Sequence, residues 1–149
     1  MDLSLIEYRA LAEFRCQLRR YLHFSEEQAR AHGLEPQQHQ LLLAIKGLTP
    51  GARATIGELA GRLQLKHHST VELVDRLEKH GYVFRSAGKD DRREVIVHLA
   101  SPGGRILRSL SLAHRQELET AAPAFAAALR SLRRARQNRS RHAPGRDAA

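Results

Sequence analysis

Lys66, His67, His68, Ser69 and Thr70 form one run, and Glu72 and Arg76 return from Ser69 at spacings of three and four. On a helix Ser69, Glu72 and Arg76 share one side, and the run from Lys66 makes up its first turns. Ammonium, imidazole, hydroxyl and guanidinium groups presented together suit phosphate oxygens and the polar edges of bases. A second basic group, Arg85, Lys89, Arg92 and Arg93, surrounds a polar stretch that holds Asp90 and Asp91. Two acids at a surface built for a polyanion are unfavourable, so at least one is expected to turn inward as a structural partner. On its own, either set also suits an ordinary solvated face.

Other chemistries find less support. His67 and His68, with His23, His32 and His39, invite a metal reading, yet no His pair lies at i, i+4 with a carboxylate to complete a face. No metal and no other cofactor is expected. There is no Gly-rich phosphate loop and no nucleophile elbow, so the sequence does not read as an enzyme.

The elements that must hold these residues follow from periodicity. Residues 4–32 predict one long helix, with Leu11, Phe14, Leu18, Tyr21 and Leu22 on a stripe. His32-Gly33 stops it. Pro36 opens a second helix through Leu41, Leu42, Leu43, Ile45 and Leu48, apolar nearly all round and therefore expected to be buried. Thr55-Ile56-Gly57-Glu58 has capping-box spacing and starts a short helix to about Gln64. A tight turn at Leu65-Lys66 leads into a helix from about His67 to His80, with Val71, Val74 and Leu77 facing inward. Residues 82–85 and 94–99 alternate and predict a hairpin whose charged tip is Gly88-Lys89-Asp90-Asp91-Arg92. Ser101-Pro102 begins a last helix that Pro123 is expected to kink or divide. From Arg133 the chain is Arg-rich and carries no apolar residue larger than Ala, which predicts disorder over 133–149.

Helix, tight turn, helix and hairpin in that order define a winged helix-turn-helix. The fold class is mainly α with a small β-hairpin wing, plus N- and C-terminal helices. In such an arrangement the helix from His67 enters a major groove, and the basic hairpin tip reaches a minor groove or the backbone. Val74-Asp75-Arg76-Leu77-Glu78-x-x-Gly81, then Asp91-x-Arg93 and Leu99-x-x-x-Gly103, resembles the MarR family of bacterial transcription regulators. Pro36-Gln37-Gln38-x-Gln40-Leu41-Leu42-Leu43 is similar to its second helix. The resemblance spans about 5 to 135. It departs at Ala100, which moves the expected cap of the last helix to Ser101, and at Lys66-His67, where the family commonly has Ser.

The resemblance implies one domain over 1–132, with a winged lobe at about 36–100 and dimerisation helices at about 4–32 and 101–132. It implies a homodimer on a palindromic operator of double-stranded DNA, often a repressor that answers to a small, often aromatic, effector. The candidate contacts are Lys66, His67, His68, Ser69, Thr70, Glu72, Arg76, Arg85, Lys89, Arg92 and Arg93. Arg92 is the expected groove-inserting residue, with Arg93 the alternative. Arg76 has a second reading, a structural ion pair with Asp91 of the wing. Arg20, Tyr21, Phe24 and His39 are the expected ligand pocket, although Tyr21 and Phe24 also read as core. Cys16 lies among Arg15, Arg19 and Arg20. It reads as a buried, inert thiol at the dimer base, with peroxide sensing the alternative.

Composition narrows the classes further. The chain has 149 residues, a formal charge of +9, one cysteine and no tryptophan. A disulfide framework within one chain and a cysteine-rich zinc module are excluded. Aromatic residues at 5% make a stacking platform for single strands a poor reading. No spanning helix and no secretory signal is visible, so a cytoplasmic, membrane-free protein is expected. Residues 133–149 hold six Arg and one Asp, a net of +5, which leaves +4 for the rest. The competing reading is therefore a sequence-independent, architectural nucleic-acid binder that uses this charge. A winged helix that serves as a protein-interaction module is the third.

Overall fold

The computed structural model describes residues 3–141. The elements are α1 (Leu5–Ala31), α2 (Pro36–Lys46), α3 (Ile56–Leu63), α4 (His67–Lys79), β1 (Val83–Ala87), β2 (Val95–Leu99) and α5 (Ser101–Arg141). The chain divides into two compact units. One holds the residues up to Phe24 and from His114 onward, and the other is the lobe Ser25–Ala113.

The lobe is built on one apolar core. Leu34, Leu41, Leu42, Leu59, Val74, Leu77, Val83, Val97 and Leu110 are all at most 2% exposed. Burying a side chain of this size is worth about 1.5–3 kcal/mol, and helices this short depend on such packing rather than on propensity. Local signals place the elements. The Glu35 N–H donates to Gln38 Oε1 (2.9 Å) at the start of α2, whose first residue is Pro36. Thr55 Oγ1 accepts the Glu58 N–H (3.1 Å) at the start of α3. Gln64 closes α3 in the left-handed region, at φ 54°.

The two strands pair antiparallel, with Phe84 opposite His98 and Arg85 opposite Val97. Val83 and Val97 turn into the core, while Phe84 stays exposed and stacks on His98 at 4.9 Å. The segment before α3 joins this hairpin, an arrangement that period-two alternation does not signal. The Val97 N–H donates to the Ala54 carbonyl (2.9 Å), and Thr55 bridges to Ile96.

In the helical unit α1 begins with a reciprocal cap. The Ser4 N–H and hydroxyl both donate to Glu7 Oε2 (2.8 Å), and the Glu7 N–H donates to Ser4 Oγ (3.3 Å). Phe14 packs edge-on against Phe125 with centroids 5.8 Å apart.

Several expectations need correction. Leu43 is 48% exposed, so α2 is not buried all round. Leu11, Leu22, Leu118 and Leu129 are also exposed in the single chain. Ser101 is the first residue of α5 rather than its cap, and the Gly104 N–H donates to the Ala100 carbonyl (2.9 Å). Helix α5 runs through Pro123 as one element of 41 residues. Pro123 is exposed, where water can reach the carbonyl that the ring leaves without a donor. The helix also continues over 133–141, where composition predicted disorder. Extending an existing helix needs no new nucleus, and the Arg, Ala and Gln residues of this stretch are good helix formers. The remainder of the expected tail, 142–149, lies outside the described residues. Cys16 is exposed rather than buried.

Candidate nucleic-acid interface

Helix α4 presents its first turns to solvent. Lys66 is its N-cap, with extended backbone and no side-chain cap bond. The first amides of the helix are thus left to outside acceptors, and a helix N-terminus favours anions. Lys66, His67, His68, Glu72 and Arg76 are exposed, and Ser69 is half-buried. Thr70 does not belong with them. It is fully buried, and its hydroxyl donates to the Lys66 carbonyl (3.1 Å), so it fixes the helix start from within.

Asp75 and Glu78 tie the same helix to the wing. The Arg85 guanidinium bonds Glu78 (2.5 Å) and also pairs with Asp75, while its backbone N–H donates to Glu78 Oε1 (3.1 Å). Burial disfavours the Arg85 charge. Hydrogen bonds and attraction from Asp75 and Glu78 outweigh that cost and hold its pKa above the ordinary value. Arg85 is therefore a clamp between helix and wing, not a free cation. The expected ion pair of Arg76 with Asp91 is not formed. Asp91 instead accepts the Arg93 N–H (2.9 Å) within the turn, and Arg76 points to solvent.

At the wing tip Lys89, Arg92 and Arg93 are exposed. Gly88 is the pivot. Its N–H donates to the Glu94 carbonyl (2.8 Å), and a Cβ there would stand 2.6 Å from the Asp91 carbonyl oxygen. Glu94 pairs with Arg53 and ties the outgoing strand to the segment before α3. A cavity of about 520 Å³ lies between the start of α3, α4 and the wing, lined by His67, Asp75, Arg85, Arg93 and Glu94 among others. Sequence reasoning missed Asp75, Glu78, Arg53 and Glu94. Asp75 and Glu78 did carry a signal, since i, i+3 spacing puts two acids on one helical face.

Of the residues expected to line a ligand pocket, Arg20, Tyr21 and Phe24 belong to the helical unit and His39 to the lobe. Tyr21 and Phe24 pack edge-on against His114, with centroids 6.1 and 5.6 Å away. Burial pushes the Tyr21 pKa up. Arg20 is exposed, and His39 is buried in α2 of the lobe. Among the described residues no three His, Cys, Asp or Glu side chains gather as a metal site, and no helix is long and apolar enough to cross a membrane.

An α4 held against a two-stranded wing, preceded by α3 across a three-residue turn, is a winged helix-turn-helix. Residues 32–94 match the sequence model of the MarR family. The uncharacterized HTH-type transcriptional regulator YcgE of Bacillus subtilis (strain 168) is 37% identical over 94 residues, 63% of this chain and 59% of that protein. The uncharacterized HTH-type transcriptional regulator YsmB of the same organism is 41% identical over 63 residues, 42% of either chain. The chain thus spans about half the length of these curated relatives. A mutant MarR from E. coli, solved in complex with operator DNA, superimposes with a TM-score of 0.62 at 21% identity, over 80% of this chain and 87% of that one. Over residues 32–94 the chain is thus similar to the MarR family.

Proposed function

We propose that this protein is a sequence-specific, double-stranded-DNA-binding transcriptional regulator that acts as a homodimer on a palindromic operator, as a ligand-responsive repressor. The observation that carries the reading is the uncapped start of α4, with Lys66, His67, His68, Glu72 and Arg76 all exposed, in the same lobe as a wing tip that exposes Lys89, Arg92 and Arg93. The α4 residues read base edges in the major groove, and the wing cations hold a minor groove or the backbone. Ser69, half-buried, contributes its hydroxyl at the edge of this surface. Removal of Thr70 and Arg85 from the contact set sharpens the surface without weakening it.

A second copy of the chain is supported by the apolar side chains that the helical unit leaves in water. Leu5, Ile6 and Tyr8 of α1 and Leu118 and Leu129 of α5 are between 41% and 62% exposed. A face of this kind is normally covered by a partner. A two-fold dimer sets its half-sites roughly 10 bp apart. An effector would act by shifting the population between gripping and non-gripping states.

Selection of bound sequences from a random duplex pool tests the proposal. The expected result is an inverted repeat, bound at least about 10³-fold more tightly than random duplex at fixed salt. A ratio near one with a steep salt dependence would establish the architectural reading instead.

A further inference from the structure

Helix α5 ends in a run of arginine that the proposed α4 and wing surface does not use. Arg130, Arg133, Arg134, Arg136, Arg139 and Arg141 fall within its last twelve residues, and no Asp or Glu occurs from Thr120 to Arg141. Arg130, Arg133 and Arg134 are exposed and make no ion pair among the described residues. Within the helical unit α1 and α5 run antiparallel, since Tyr21 meets His114 and Phe14 meets Phe125. Helix α1 begins nine residues before Phe14, and Arg134 lies nine residues after Phe125. The last seven residues of α5, about 10 Å at 1.5 Å per residue, therefore continue past the start of α1.

The pattern selects among partners. At about 100° per residue the six positions spread over more than half of the helix circumference instead of forming one stripe. A membrane surface, or a groove on another protein, takes a helix by an apolar stripe. Residues 133–141 hold no apolar residue larger than Ala. B-DNA offers a major groove about 12 Å wide between two phosphate walls, which admits a helix of about 10–12 Å diameter. Arginine forks suit phosphate oxygens. We propose that the C-terminal end of α5 is a second, sequence-blind contact for double-stranded DNA, in which these arginines neutralise phosphates. It uses none of the α4 or wing residues, so it stands or falls apart from the operator reading.

The test uses the full chain and a random-sequence duplex, titrated by fluorescence anisotropy at several salt concentrations. One variant replaces the six arginines by glutamine, which keeps helix propensity. A second replaces them by lysine. A third, Lys66→Ala, Arg92→Ala, Arg93→Ala, disables the α4 and wing surface. The glutamine variant is expected to bind the duplex at least tenfold more weakly, with the slope of log K against log salt reduced by about 0.9 per lost phosphate contact. The lysine variant keeps the charge and is expected to recover most of the affinity. The third variant is expected to retain salt-dependent binding to the duplex. If the glutamine variant does not fold, the third variant decides, and loss of all duplex binding in it overturns the proposal. So does an unchanged salt slope in a folded glutamine variant, or a change in its oligomeric mass, which would assign the arginines to contacts between chains. Tighter binding to an RNA duplex of the same length, or to phosphatidylserine vesicles, than to DNA overturns it as well.

Discussion

Arg85 on the first wing strand holds Asp75 on α4, and the same guanidinium holds Glu78 one turn further on. One side chain thereby fixes the angle between α4 and the wing. All three groups are partly solvated, so screening limits the energy of each pair to below about 1 kcal/mol. Two pairs and the lost packing of the alkyl stem put Arg85→Ala at about 1–2 kcal/mol of destabilisation, read from the urea midpoint. Arg85→Lys is expected to recover less than half of that, because one ammonium lacks the planar fork that spans two carboxylates. A midpoint unchanged by Arg85→Ala would remove the clamp from the account.

Gly103 lies against the Tyr82 backbone. A Cβ at this position would stand 2.1 Å from the Tyr82 carbonyl oxygen, and that carbonyl is already held by the Ala100 N–H at 3.0 Å. Neither side can give way cheaply. Gly103→Ala is expected to destabilise the lobe by about 1–3 kcal/mol, although alanine is the better helix former. Gly104 is the control, since nothing lies within 4 Å of its added Cβ. Gly104→Ala is expected to raise stability by up to about 1 kcal/mol. Thermal unfolding of the two variants separates steric conflict from propensity.

The contrast between these glycines shows what was legible in the sequence. All seven elements follow from periodicity and caps, because apolar spacing and turn residues act locally. The exposure of Lys66, His67 and His68 was legible for the same reason. Thr70 was misplaced because its type is polar and its burial depends on the packing of α3 against α4. Arg85 was misplaced because its partners lie seven and ten residues away in sequence. The Arg76–Asp91 pair failed at the same step: charge and rough proximity were right, but the direction of each side chain was not fixed by spacing. The end of α5 was misjudged because disorder was argued from composition alone, without the helix already running into it.

Gln64 supplies the left-handed residue between α3 and α4, at φ 54°. A side chain in that region costs roughly 1–2 kcal/mol, which glycine avoids. Glycine also loses more backbone freedom on folding, about 0.5–1 kcal/mol. Gln64→Gly is therefore expected to stabilise the lobe by about 0.5 kcal/mol, and Gln64→Val to destabilise it. Equal loss in both variants would show that the glutamine side chain contributes more than the backbone argument allows.

Tyr21 gives the helical unit an alkaline limb. Burial raises its pKa above the ordinary value of 10.0, so the folded state holds the phenolic proton more tightly than the unfolded chain does. The resulting contribution is complete below about pH 10 and is lost as the pH rises through the folded pKa. Tyr21→Phe is expected to flatten this part of the stability profile above pH 10 and to leave the profile near pH 7 in shape. An identical alkaline limb in the variant would assign the loss to other groups.

Arg92 and Arg93 at the wing tip are exposed, and neither side chain is ion-paired among the described residues. Their replacement by alanine should therefore change stability by less than about 0.5 kcal/mol. The effect belongs in DNA affinity and its salt dependence. Each lost phosphate contact lowers the slope of log K against log salt by about 0.9, so the double variant is expected to lose about 1.8 per subunit, about 3.6 for the proposed dimer, if both residues touch the backbone. If Arg92 instead reads a narrow minor groove, Arg92→Ala alone should also relax base preference flanking the half-site. Titrations at several salt concentrations, on the selected sequence and on random duplex, separate the two contributions. An unchanged slope on both duplexes would take the wing out of the interface and favour the reading of this lobe as a protein-interaction module.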